Sequence, residues 1–201
     1  MANTTAPLSE IAIANMAATT LDDIHLNSLD EDTPLGRFVA SEFGFMRDEL
    51  LASHVWACAM TRKKIGRLTA APDFGYDYQY QLPTDCLRIT PPRVDGNPNG
   101  TPIPFKREGR RILTDYPAPL CLVYIKRLTN PSEMDPLFAR ALGQYIAVYA
   151  SQRVTGKESY FSKANGLFQQ AIAAAQQVNA LEMGTQPSYN TNDVLGARLA
   201  G

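Results

Sequence analysis

Histidine and cysteine are scarce in this chain, and their placement removes several kinds of chemistry. Of 201 residues two are histidine and three are cysteine. Cys58, Cys86 and Cys121 contain no CxxC pair, so neither a disulfide framework nor a redox dithiol is expected. All three stand in apolar or strand-like text, where free cysteine behaves as a small hydrophobe. His25 and His54 form no HExxH pair and join no Cys/His cluster, so no metal is expected. A GxxxxGK[ST] loop, a GxGxxG turn and a GxSxG elbow are all missing, which leaves no phosphate cradle and no hydrolase nucleophile. No apolar run reaches the roughly 18 residues of a membrane-spanning helix. The first residues carry no basic cluster and place Glu10 inside their apolar stretch, unlike a signal peptide. Nineteen Lys and Arg against twenty Asp and Glu leave a net charge of −1, which argues against a protein that coats nucleic acid.

What remains is a globular composition, 45% hydrophobic and 19% charged, in a length that suits one domain. Soluble, intracellular-type chemistry is expected. Helical spacing first appears over 8–21, with Ile13, Met16, Ala17 and Leu21 apolar and Ser9 and Glu10 suited to a helix start. A polar connector, 22–32, leads to Thr33-Pro34, an N-cap followed by proline at the first helical position. The second helix then runs to about residue 54, with Val39, Phe43, Met46 and Leu50 in one stripe. The text 55–68 is ambiguous between a helix extension and a strand. From residue 72 the period becomes two. Tyr76, Tyr78 and Tyr80 alternate with polar residues, DCLRIT is a short strand, 105–116 reads as a hairpin turning at Glu108-Gly109, and LCLVYIKRL is an apolar strand. Helical text returns at Asp135-Pro136 and runs to a Gly156 cap. A fourth helix follows over 157–182, with Phe161, Ala164, Phe168, Ala171, Ala175 and Val178 in heptad positions.

The order is therefore two helices, a β unit and two helices. The expected fold is α+β: a four-helix bundle with an inserted small antiparallel β module. Its parts are a first helical hairpin with its exit segment (1–71), the β module (72–129), a second hairpin completing the bundle (130–183) and a flexible C-terminal tail (184–201).

Few groups offer catalysis. His54 and Cys58 are four apart and would meet on a helix, but no third group is identifiable to orient them. Cys58 reads better as core, and His54 as a helix-ending imidazolium that suits the dipole. Asp30, Glu31 and Asp32 read as a solvated connector, and Asp48 and Glu49 cannot face each other on a helix. Two basic clusters stand out: Arg62, Lys63, Lys64 and Arg67, then Lys106, Arg107, Arg110 and Arg111 around the expected turn. They are either solvated faces or a local positive patch toward DNA or an acidic partner. The Tyr alternation reads as one strand face rather than a base-stacking platform.

Four stretches carry a resemblance: EIAIANMA at 10–17, MRDELLASHVWACA at 46–59, FGYDYQYQLPTDCLRI at 74–89, and LVYIKRLTNPSEMDPLFARALGQYIA at 122–147. In this order the chain resembles the bacteriophage head-to-tail adaptors of the tail tubular protein A type. It departs at Val55, where that family often has proline, and beyond Gly184, where no alignment is apparent. The resemblance implies a helical bundle plus β module and a closed ring of identical subunits, usually twelve. The ring sits between the portal protein and the tail nozzle or tube, with genome DNA passing through as non-specific cargo. It implies a structural virion protein of the neck, assembled in the host cytoplasm, with neither enzymatic activity nor cofactor and no membrane partner. In that setting the basic clusters would face the channel or a partner. Tyr189, Val194, Leu195 and Leu199 would anchor the tail on the portal. The competing expectation is a small nucleic-acid-binding phage protein that uses the basic clusters.

Overall fold

The computed structural model of the chain describes residues 8–184. The expected start signals all operate. Ser9 caps α1 (Glu10–Thr20), its hydroxyl accepting from the Ala12 N–H at 3.1 Å. Thr33 caps α2 (Pro34–Ser53), with Pro34 in the first turn. Asp135 caps α3 (Pro136–Val154) by accepting from the N–H groups of Leu137 and Phe138 at 2.8 and 3.1 Å. Gly156, at φ +64°, turns the chain from α3 into α4 (Glu158–Glu182).

Between the helix pairs lie β1 (Met60–Ile65), β2 (Tyr78–Gln81), β3 (Cys86–Ile89), β4 (Lys106–Glu108), β5 (Arg111–Thr114) and β6 (Leu120–Lys126). They form two antiparallel three-stranded sheets, ordered β1-β6-β3 and β2-β5-β4. The β4–β5 hairpin turns on Gly109 and Arg110, with Glu108 paired to Arg111. The alternation along β6 explains the layering. Leu120, Leu122 and Tyr124 join Ile65, Tyr80, Leu82 and Ile112 in a core between the two sheets. Ile125 instead joins the helical core with Trp56 and Phe138. The first sheet is thus shared between two cores. The shortest of the chain's crossings between the sheets runs from Leu82 to Cys86. Leu82 N–H donates to the Arg110 carbonyl at 2.9 Å, Cys86 N–H to the Pro83 carbonyl at 3.0 Å, and the Asp85 carbonyl accepts from Arg127 N–H at 2.8 Å. The Asp85 carboxylate accepts from the Tyr124 hydroxyl at 3.2 Å. With burial, that contact pushes the Tyr124 phenol up to about 12.

The fold is α+β, but the four-helix bundle with a small inserted module does not form. The sheets are interleaved between the helix pairs as two full layers with a core of their own. Nor do α1 and α2 make a hairpin, since both pack on α3 and barely touch one another. Their connector is fastened to α1. Asn15 on α1 donates to the Leu26 carbonyl at 2.9 Å and accepts from its N–H at 2.7 Å. Buried Leu26 is thereby folded onto the first helix. The β region begins at Met60 rather than near residue 72. The ambiguous text was an edge strand with one fully buried residue, Ile65, and so lacked a periodic signal. In α4 the heptad holds only in part. Ala164 and Ala175 are buried, while Val178 is exposed and Asn179 points inward instead. A straight helix repeats every 3.6 residues and drifts off a strict 3.5 repeat.

Gly143 sets the approach of α1 to α3. A Cβ there would lie 2.8 Å from Met16 Cβ and 3.0 Å from the Ile13 carbonyl oxygen. Gly143→Val is expected to cost about 1–3 kcal/mol by overpacking, read as a lowered urea midpoint. At Gly166 in α4 a Cβ meets nothing within 4 Å, so Gly166→Ala is expected to add about 0.5–1 kcal/mol of stability.

Candidate functional site

Three regions hold the chemistry that this fold arranges: the turn after α2, the basic edges of the sheets, and the outer face of α4. At the turn, α2 ends at Ser53 and the chain runs through a single 3₁₀ turn, Ala57–Ala59, into β1. Trp56 fills the gap beneath it. Its indole N–H donates to the Leu50 carbonyl at 2.9 Å, and its ring meets His54 and Phe138 edge-on at 4.9 and 5.1 Å. Asn179 reaches over from α4. Its carbonyl oxygen accepts from the Ala57 N–H at 2.7 Å, and its amide donates to the Val55 carbonyl at 2.8 Å and lies 3.2 Å from His54 Nε2. Sequence reasoning missed Asn179. Its one signal was a polar residue on the inward 3.6-residue period of an otherwise apolar stripe.

The structure does not assemble His54 with Cys58. The imidazole is engaged by Asn179 and Trp56, and no hydrogen bond joins the two residues. Burial pushes the Cys58 thiol up, the reverse of what a nucleophile needs. The turn does not favour the expected imidazolium at the helix end. Burial first, and then the Arg88 charge, hold the His54 pKa below its ordinary value. The C-terminal carbonyls of α2 are met by Arg88 itself, whose guanidinium donates to Ser53 at 3.2 Å.

The basic residues fall into separate places. Arg62, Lys63 and Lys64 are exposed on β1, an edge strand, opposite Val123, Leu122 and Cys121 of β6. Arg67 leaves that group. It bridges to Tyr80 and lies over the Tyr78 ring at 5.3 Å. Lys106, Arg107, Arg110 and Arg111 do gather around the β4–β5 turn, on the other sheet. Three of them are tied to their own fold. Arg107 donates to the Gly109 carbonyl at 3.2 Å, Arg111 to Gln79 Oε1 at 2.8 Å, and Arg110 to the Pro83 carbonyl. Tyr80 is buried with its hydroxyl on the Tyr116 carbonyl at 2.7 Å, and Tyr78 packs against the same core. Tyr76 lies before the strand. Tyr78 and Tyr80 are thus part of the wall of the inter-sheet core. Tyr189, Val194, Leu195 and Leu199 lie outside the described residues.

Helix α4 is unusual in what it leaves open. Only Ala164, Ala175 and Asn179 of its 25 residues are buried. Between Lys163 and Glu182 it carries no charged residue, although most of that stretch faces out. Leu167, Ala174, Val178 and Leu181 are exposed on that helix, Leu181 to 77%. On α2, Phe45 is 68% exposed. On the neighbouring α3, Tyr145 donates to Glu49 at 2.9 Å and meets the Tyr149 hydroxyl at 3.3 Å. Burial and these contacts drive the Tyr145 phenol far above its ordinary range. Among the described residues, no helix is long and apolar enough to cross a membrane.

No protein-family model matches the chain, and no curated protein matches it.

Replacing Asn179 by Leu leaves the Ala57 N–H and Val55 carbonyl without their partner. The variant is expected to lose about 2–4 kcal/mol in urea denaturation. His54 supplies a pH dependence. Its folded pKa lies below the unfolded value of 6.5, so the unfolded chain binds more protons. Stability from this group is present above pH 6.5 and falls as the pH drops through and below that value. Urea midpoints measured between pH 7.5 and 5 are expected to fall less in His54→Gln than in the parent.

Proposed function

We propose that this chain is a structural virion protein: a head-to-tail adaptor that assembles as a ring beneath the portal, joins it to the tail nozzle or tube, and leaves a channel for DNA. The observation that carries this reading is the outer face of α4. An exposed face that is apolar, rich in alanine and glutamine and free of charge over five turns suits a protein partner rather than water. A ring uses a heterologous contact, in which one face of each subunit meets a different face of the next. The α4 stripe is one such face, and the exposed Phe45 on α2 is a single apolar contact on a different helix. The ordered resemblance of four sequence stretches adds the identity of the assembly and its usual count of twelve. The role needs no cofactor and no catalytic step. DNA is non-specific cargo, drawn weakly by lysines and arginines spread over two sheets. The site of action is the virion neck, after assembly in the host cytoplasm.

The test is light scattering and negative-stain imaging of the full chain mixed with the portal protein that the proposal assigns to it. Rings on the portal are expected. The double change Val178→Glu with Leu181→Glu is expected to abolish them without lowering the melting temperature, since both side chains are exposed. A chain that stays monomeric and ignores the portal overturns the proposal. So does salt-sensitive DNA binding that disappears when Arg107, Arg110 and Arg111 are neutralised, which is the behaviour of a nucleic-acid-binding module.

A further inference from the structure

The helix-side face of the first sheet carries a groove short of negative charge. Alternation along β6 sends Leu120, Leu122 and Tyr124 into the core between the sheets. Cys121 and Val123 take the opposite face, where both are half-buried. The pairing of β1 with β6 sets Lys64 beside Cys121 and Arg62 beside Val123, so two cations flank two apolar side chains on that face. Over them runs a groove of about 760 Å³, to which Met60 and Arg88 also contribute and whose lining includes no Asp or Glu. A smaller extension of about 210 Å³ continues past Cys121 to Lys64, with Asp95 as its one carboxylate. Arg62 and Lys64 have no ion-pair partner among the described residues. An apolar floor rimmed by positive charge fits an aliphatic side chain that stands beside a carboxylate.

That pairing stands elsewhere on the same subunit. The connector 22–32 holds Asp22, Asp23, Asp30, Glu31 and Asp32 and no Lys or Arg. At its start Ile24 is 82% exposed, next to Asp23, which has no ion-pair partner among the described residues. The turn is held in shape. It follows directly on the end of α1, the Asp23 carboxylate accepts from the Ile24 N–H at 2.8 Å, and Asn15 pins Leu26 just beyond. Its own groove is out of reach. Asp22 pairs with Lys163 at 3.4 Å near the start of α4, whereas Met183, at the end of α4, lines the groove. Along a helix rising about 1.5 Å per residue, Lys163 and Met183 stand roughly 30 Å apart. We infer that the turn 22–25 of one copy docks head to tail in the β6 groove of another copy, with Ile24 on Cys121 and Val123 and Asp23 toward Arg62 and Lys64. Each subunit then gives its turn to one neighbour and its groove to the other, the heterologous pairing that a ring uses. The inference rests on the ring-forming part of the proposed function and names a contact between neighbours.

Cys121 makes the contact testable, because it lines the groove, whereas burial raises the thiols of Cys58 and Cys86. The experiment is oxidation of the full-length Ile24→Cys variant with copper-phenanthroline, alone and mixed with the portal protein, read by non-reducing gel electrophoresis. A ladder of covalent oligomers beyond the dimer is expected. The parent chain, and Ile24→Cys combined with Cys121→Ser, are expected to show none. Arg62→Glu in the Ile24→Cys background is expected to slow the ladder about tenfold by placing like charges together. A ladder that stops at the dimer, one that survives Cys121→Ser, or an unchanged rate in Arg62→Glu overturns the inference. Rings imaged on the portal without a ladder overturn this contact, assign the groove to another partner and leave the adaptor reading standing. A ladder without rings on the portal overturns the adaptor reading and leaves the contact standing. Neither ladder nor rings overturns both.

Discussion

One uncharged side chain, Asn179, ties the last helix to the turn that links the first helices to the sheets. Asn179 ends the contact of an otherwise shallow helix by binding the backbone on both sides of Trp56. The segment 54–59 leaves a helix and enters an edge strand, so its N–H and carbonyl groups have no ladder of their own. Buried groups of that kind need a partner. Asn179 satisfies a donor and an acceptor at once, and in doing so fixes where α4 lies against α3, where β1 starts and how Trp56 meets Phe138. The apolar contacts of α4 are two buried alanines with the half-buried Tyr160, Phe168, Ala171 and Ile172, and Asn179 adds a polar one near its C-terminal end.

Legibility in the sequence followed the range of the interaction. The starts at Ser9, Thr33-Pro34 and Asp135-Pro136 are local hydrogen-bonding events, and each is where the sequence places it. The stripe Val39, Phe43, Met46, Leu50 is likewise buried as read. Arrangement was less legible. The Asn15–Leu26 pair joins a helix to a connector that looks merely polar. The division of six strands into two sheets depends on long-range pairing such as Met60 with Ile125. No period in a single strand reports which sheet it joins. The expected bundle came from counting apolar stripes, which says how many faces need cover but not what covers them.

The same distinction applies to the candidate site. Lysines and arginines were visible as clusters, yet their partners decided their meaning. Arg88, outside either cluster, turned out to meet the end of α2, while Arg110 and Arg111 serve the turn and the neighbouring strand. The uncharged run of α4 was legible as composition. Its significance appears only once α4 is found packed mainly on α3 and open on its other side, because the same residues in the middle of a bundle would be ordinary core.

The passage Leu82–Cys86 has a mechanical consequence. Four residues, Leu82 to Asp85, carry the chain from one sheet into the other, and the Tyr124 hydroxyl fastens that crossing to the central strand β6. So short a strap gives neither sheet the slack to peel away alone. A pull applied to either layer is shared by both, and the pair gives way as a single cooperative unit rather than strand by strand.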